Sequence, residues 1–419
     1  MAQREPSAVG DPKRLLGALR HRNYRLYFAG QIISTAGTWM QSVALPWLAL
    51  QITHDGFLVG LALAVQFTPI LVLGPFGGLI ADRFPKRRVL LVTQSAYIVP
   101  AASLFLVTQA HQAQYWMVLV AVLAVGCVNV IDVPSRQAFV IDMVGREDLL
   151  NAIALNSTIF NASAVIGPSV AGLLIAYVGL PFCFLFNAVS FLAAILALAL
   201  MRNLPSVVRL SQVEALRDRL RAGLSYARRD PIAGTLLLNV GVFSLFSMNR
   251  MTLFPLFAEF VLHVGARGFG FLTAAQGVGA LCGALTLALL QQRIARGPVQ
   301  FGVGMAWCAF LLAFSFSRLY PLSLALLLLA GFCQITFIAS SNTRIQAQTP
   351  DHLRGRVMAL YAQALQGVGP IGSLQAGAFA SLFGPPVAMA FGAVVSAVFL
   401  LASRLLRPEV FGPPATGEA

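Results

Sequence analysis

Three groups of charged residues in this chain could do chemistry, and each lies where charge is costly. The first is the segment from Gly78 to Val89 (GLIADRFPKRRV), which crowds Asp82, Arg83, Lys86, Arg87 and Arg88 between two apolar stretches. The second is Asp132 and Arg136, four residues apart at the inner end of another apolar stretch and spaced for an ion pair on one helix face, with Asp132 read as a gate partner or as a proton site. The third is Arg250, roughly 17 residues or about 25 Å into an apolar run. A guanidinium at that depth binds an anionic substrate group, pairs with an acid on a facing helix, or snorkels to the interface. Glu259 and His263 follow it toward the end of the same run, as proton carriers or as an ordinary solvated helix end. Gln31, Thr38, Gln41, Asn129, Ser247, Asn249 and Gln334 are the neutral polar candidates, open to two readings, interhelical bonds and ligand contacts. Trp39, Trp47, Phe243 and Phe246 could wall a cavity for a bulky substrate or serve as packing.

The rest of the chain says what must position these groups. Hydrophobic residues make up 58% of its 419 positions and charged residues only 11%. A soluble domain carries roughly 25% charged residues. Apolar runs able to cross about 30 Å of hydrocarbon fall near 25–50, 57–80, 89–109, 115–135, 150–177, 181–201, 233–259, 268–291, 299–317, 320–341, 356–382 and 385–403. Twelve crossings return the chain to the side on which it started. Of the 29 basic residues, 26 fall on that side, Arg267 and Arg318 fall on the other, and Arg250 lies within a span. The positive-inside rule then predicts a cell-membrane protein with both termini in the cytoplasm. The net charge of +14 sits in short loops rather than in a continuous stripe, so nucleic acid is not an expected partner. Residues 1–23 are polar and basic, without the apolar core of a signal peptide. The five cysteines fall in or beside apolar runs without a CxxC pair and read as small buried hydrophobes. No Walker A, HExxH or GxSxG pattern occurs, so no enzyme, cofactor or metal site is expected.

The chain also repeats. Pro46 matches Pro255, Gly60 and Gln66 match Gly270 and Gln276, Gly167-Pro168 matches Gly369-Pro370, and Glu147-Asp148-Leu149 matches Asp351-His352-Leu353, all near a spacing of 205 residues. Duplication of this kind predicts an N-terminal six-helix bundle over 1–201, a linker over 202–230 and a C-terminal bundle over 231–419, with a site at the midplane between them. Val213, Leu216, Leu220 and Leu224 among Arg217, Arg219 and Arg221 predict an amphipathic linker helix on the membrane surface.

Taken together, GTWMQSVALPWL (37–48), ADRFPKRR (81–88), DVPSRQAFV (132–140), REDLLNAIALNS (146–157) and VIGPSVAGLL (165–174) resemble the major facilitator superfamily. Within it they are most similar to the drug/proton antiporter branch that includes enterobactin exporters and macrolide efflux pumps. The resemblance implies an all-α fold of twelve transmembrane helices in two bundles related by a pseudo-two-fold axis. It further implies that spans 1, 4, 7 and 10 line the cavity and that the loop after span 2 is a cytoplasmic latch. Gly78, Asp82, Arg83, Arg87, Arg88, Asp132, Arg136 and Arg356 are the residues carried over to that gate. Asp82 would face the start of span 11 near Arg356, and Arg87 would reach Asp132. Gly167, Pro168 and Gly172, with Gly369 and Pro370, stand for the family's helix-kink motif. Two departures stand out: Pro85 replaces a loop glycine, and span 4 has no arginine at mid-membrane. The expected activity is proton-driven export of bulky amphipathic molecules of the drug or siderophore class by a monomer. Protons and membrane lipid are its other expected partners. The alternatives are a facilitator importing a metabolite and a non-transporting membrane scaffold or sensor.

Overall fold

Hydrocarbon offers no hydrogen bonds to a backbone, so chains this apolar cross it as helices that satisfy their own amides. The computed structural model describes residues 17–145, 147–202, 224–294 and 297–412. It has six helical rods in the first half: α1 (Arg22–Thr53), α2 (Gly56–Arg83), α3 (Lys86–Gln109), α4 (Tyr115–Val144), α5 (Leu149–Tyr177) and α6 (Pro181–Ala199). The second half begins with a rod in two pieces, α7a (Pro231–Phe246) and α7b (Arg250–Phe260). It continues with α8 (Gly265–Ile294), α9 (Gly297–Phe316), α10 (Tyr320–Gln348), α11a (Asp351–Ala362), α11b (Gly369–Phe383) and α12 (Pro385–Leu406). Ten rods hold a stretch long and apolar enough to cross a membrane. α1, which starts with Arg22 and Arg25, and the broken α11 complete the twelve expected from the sequence. Of the linker, 203–223 lies outside the described residues, so the amphipathic helix expected there is not described; 224–229 is helical.

Helix punctuation follows local chemistry. The Asp55 carboxylate accepts the Phe57 amide at 2.8 Å to cap α2, and Asp230 accepts the amides of Ile232 and Ala233 at 3.0 and 2.7 Å to cap α7a. Prolines open α6, α7a and α12, where a missing amide costs nothing.

Spans 7 and 11 are interrupted where the apolar pattern predicts continuous helices. Near the first break the Asn249 side chain donates to Leu245 O at 2.8 Å and the Ser247 hydroxyl to Gly392 O at 3.2 Å. These side chains compete with the backbone ladder. The second break is a π turn, Gln363–Gly367, followed by Val368 and the Gly369-Pro370 start of α11b. Proline there supplies no amide to the preceding turn.

The two bundles meet along two seams, α2 against α11b and α5 against α8. Glycines carry both. A Cβ on Gly60 would strike the Ser373 carbonyl and one on Gly377 would lie 2.5 Å from Gly56 O, while one on Gly172 would lie 3.0 Å from the Gly270 Cα. Backbones approach this closely only without side chains between them. These contacts cluster toward the face opposite the arginines. Toward the basic face, a Cβ on Gly74, Gly78 or Gly355 would meet nothing within 4 Å, and α11a packs on α7a and α10 of its own bundle.

Candidate functional site

A buried polar assembly lies toward the basic end of the first bundle, and Asp132 is its centre. Asp132 is 2% exposed. Its Oδ2 accepts Arg136 Nη2 at 2.6 Å and Nε at 3.1 Å, within one turn of α4. Its Oδ1 accepts the Thr93 hydroxyl at 2.6 Å and the Gln94 amide at 2.9 Å, both from α3. Arg136 Nη1 in turn donates to Gln31 Oε1 of α1. The Asp132–Arg136 pair therefore links three helices, and both carboxylate oxygens accept two donors each. Desolvation of such a pair is offset only by bonding of this kind. The four-residue spacing read from the sequence makes this ion pair, and Gln31, one of the neutral candidates, joins it from α1; Thr93 and Gln94 on α3 carry no sequence signal.

The loop after α2 differs from the arrangement the resemblance implied. Arg87 does not reach Asp132. Its Nε and Nη2 donate to the carbonyls of Leu198 and Ala199 at 2.8 and 2.9 Å. The unpaired carbonyls at the end of α6 attract the cation, as helix C-termini do, and Arg136 already occupies Asp132. Lys86, read only as a loop charge, pairs with Asp142 at 2.7 Å, with side chains 9% and 13% exposed. Gly78 is half-buried, Arg83 and Arg88 are exposed, and Arg356 is half-buried at the start of α11a. The Asp82 side chain, and hence its expected approach to α11a, lies outside the described residues.

Arg250 opens α7b directly after the break at Ser247–Asn249, some two-thirds of the way along the rod from the basic end. It is half-buried and has no hydrogen bond or ion pair among the described residues. α7b itself touches α1 and α2 of the other bundle as well as α8, α11b and α12. A broken helix thus places a cation and the free amides of a half-helix at the junction of the bundles. That is a favourable setting for an anion. Glu259 is half-buried near the far end of α7b, whereas His263 is exposed in a left-handed turn (φ 54°) that closes the helix. His54 and His111 occupy the same kind of turn at the same face.

The neutral candidates are engaged between or within helices. Gln41 accepts the Asn187 amide of α6 at 2.6 Å, Asn129 accepts the Tyr97 hydroxyl of α3 at 2.7 Å, and Gln334 accepts the Gln276 amide of α8 at 3.0 Å. Phe243 is fully buried against Trp307 and Phe337, with ring centres at 4.8 and 4.7 Å, so it is core and not cavity wall. Phe246 packs edge-on to Phe391 at 5.9 Å, and Trp47 stacks on Phe269 across the bundles at 6.1 Å. Trp39 is half-buried and packs edge-on to Phe160 at 5.3 Å. Gly167 lets α5 close on Trp39, and Gly172 lets it close on Gly270. Gly369 opens α11b and Pro370 is buried in its first turn. Cys183, Cys308 and Cys333 are buried as expected; Cys127 and Cys282 are exposed, contrary to that expectation, because an apolar thiol is tolerated on a lipid-facing surface as well as in a core.

The sequence repeat also hid functional contacts. Gly60 and Gly270 read only as matched positions, yet each meets a glycine across a seam, Gly377 and Gly172 respectively. The small residue at a matched depth in both halves was the signal.

Comparison with known proteins fits this architecture. The family model described as transmembrane secretion effector matches residues 15–412. The chain is 24% identical over 368 residues to the staphyloferrin A transporter of Staphylococcus aureus (strain NCTC 8325 / PS 47), covering 86% of this chain and 90% of that protein. It is 27% identical over 388 residues to the enterobactin exporter EntS of Escherichia coli O1:K1 / APEC, covering 91% of each. Among solved structures, a bacterial homologue of the human lysosomal transporter Spinster, inward-facing and occupied, superposes with a TM-score of 0.72 at 14% identity, over 97% of this chain and all of that one. A bacterial homologue of the iron transporter ferroportin, also inward-facing, gives 0.69 at 17% identity, over 93% of this chain and 99% of that one. With its twelve rods, glycine seams and matched family model, the chain belongs to the transmembrane secretion effector family of the major facilitator superfamily, a multi-pass membrane transporter.

Proposed function

We propose that this protein exports bulky, amphipathic, anionic molecules of the siderophore class, drawing on the proton gradient and alternating access. The observation that carries the reading is Arg250, a guanidinium with no partner among the described residues, at a broken helix whose second half touches both bundles. The charge bias supports a cytoplasmic basic face, the side from which an exporter loads. Cargo acid groups would meet Arg250 and the α7b amides, with Trp39 and Phe160 as an apolar flank. Rocking of 1–201 against 231–419 would then part the glycine seams and close the basic face around Asp82, Arg87 and Arg356. Asp132 is the carboxylate that would couple to that movement, because loss of its charge would weaken its hold on Arg136, which in turn bonds Gln31 of α1. The siderophore class is supported by the names of the two relatives.

The test is uptake of staphyloferrin A or enterobactin into energised inverted membrane vesicles, with and without a protonophore. Protonophore-sensitive uptake is expected, and Arg250→Ala should lower it roughly tenfold, about 1.4 kcal/mol of lost binding. Whole-cell uptake indifferent to the protonophore would favour a facilitator. No transport of a broad compound panel would favour a scaffold.

A further inference from the structure

Two basic residues stand on the face opposite the arginine-rich loops, and one of them is built into a seam. Arg267, in the first turn of α8, lies with its guanidinium 5.9 Å from the Tyr177 ring centre and 5.8 Å from that of Phe271, and donates to the Tyr177 hydroxyl at 3.3 Å. Tyr320, at the start of α10, donates to Gly268 O, the residue after Arg267, at 3.4 Å. One guanidinium and two phenols from α5, α8 and α10 thus share a rim. No carboxylate pairs with Arg267 among the described residues.

Directly below the rim runs a groove of about 350 Å³. Val165 and Ser169 of α5, Phe271 and Val278 of α8, and Leu324 and Leu328 of α10 line it. Its only hydroxyl, Ser169 Oγ, turns back to Val165 O at 3.3 Å. From Arg267 to Val278 the helix advances eleven residues, about 16 Å at roughly 1.5 Å per residue. That is close to half of the ~30 Å hydrocarbon thickness.

We propose that the α5–α8–α10 groove binds an anionic phospholipid of the outer leaflet, with its phosphodiester on Arg267 and Tyr177 and an acyl chain between the bundles. Two features select this occupant. The length from rim to floor matches a single leaflet. The polar rim carries a cation and the Tyr177 hydroxyl, with no acidic partner among the described residues, which fits a phosphate better than a zwitterion's ammonium. Because the groove lies on the seam that holds this face closed, a bound lipid favours the state described here.

The proposal is tested on the full-length purified protein by native mass spectrometry after exchange into mixed phosphatidylglycerol and phosphatidylcholine. Preferential retention of phosphatidylglycerol is expected. Arg267→Ala should lower that preference roughly fivefold, the order expected for one interfacial guanidinium on an anionic headgroup. Arg267→Lys should keep most of it, and Ala275→Phe, which fills the groove, should lower retention of both lipids. Monodispersity of each variant on size exclusion separates this from misfolding. Equal retention of the two lipids by the native protein, or a preference unchanged in a monodisperse Arg267→Ala, would overturn the proposal. The readout is lipid binding, so it stands or falls apart from the export reading.

Discussion

The two bundles place an arginine at matching points on matching helices, Arg136 on α4 and Arg344 on α10, 208 residues apart. Their surroundings differ. Arg136 is held by a buried carboxylate four residues back, whereas Ser340 stands at that position before Arg344. Arg344 donates instead to Gln300 Oε1 at 2.5 Å and to the Val410 carbonyl at 2.6 Å, the latter on the short terminal helix Pro408–Phe411. Gln300 completes its bonding by donating to Ser341 at 2.7 Å, much as Gln94 on α3 donates to Asp132. The framework is repeated and the acid is not. Among the described residues, only the first bundle's node holds a carboxylate opposite its arginine. The second bundle's node is a fixed cation among neutral acceptors, suited to anchoring a helix end.

The largest effect should come from the acid. Asp132→Ala leaves the half-buried Arg136 without its counter-charge, at a cost of about 3 kcal/mol, the low end for a broken buried pair, and should abolish transport. Thermal stability of the variant in detergent, read against Asp132→Leu with Arg136→Leu, checks this. The paired apolar replacement is expected to recover much of the stability but none of the transport. Stability equal to native in Asp132→Ala would dissolve the distinction between the nodes. Arg344→Gln should cost less, about 1–3 kcal/mol for the acceptors it strands, and should loosen the terminal helix. Faster hydrogen exchange or proteolysis at Val410 and Phe411, both fully buried, is the expected sign, with transport reduced but not lost. Smallest of all, Gln41→Leu removes one amide bond to Asn187, worth about 0.6 kcal/mol in membrane helices, and should leave transport near native. If transport fell sharply while stability held, Gln41 would be a cargo contact.

Much of this organisation was legible in the residues themselves. Apolar runs and the arginine bias give twelve rods and a basic face, because hydrocarbon tolerates few other solutions. The Asp132–Arg136 pair follows from a four-residue spacing on one helix. What escaped reading depends on contacts between helices. Nothing in ADRFPKRR tells that Arg87 will meet the end of α6 while Lys86 meets Asp142, since both partners come from distant segments. The break in span 7 was hidden because SLFSMNRM is apolar enough to pass for helix. Its interruption rests on where Ser247 and Asn249 find acceptors. The repeat of Gly60 and Gly270 was visible as a pattern, but its use as a pair of seams required the packed structure.

The account rests on two bundles that move against each other as the seams open. Pulsed electron resonance tests it most directly, with Cys127 and Cys282, the exposed cysteines, replaced by serine. One spin-label pair goes on Phe84 and Gly355 at the basic face, the other on Gln112 and Arg318 at the opposite face, all exposed positions. Lowering the pH or adding cargo should shorten the first distance as it lengthens the second. If both distances change in the same sense, or neither responds to any cargo or pH, the bundles do not alternate and the mechanism is wrong.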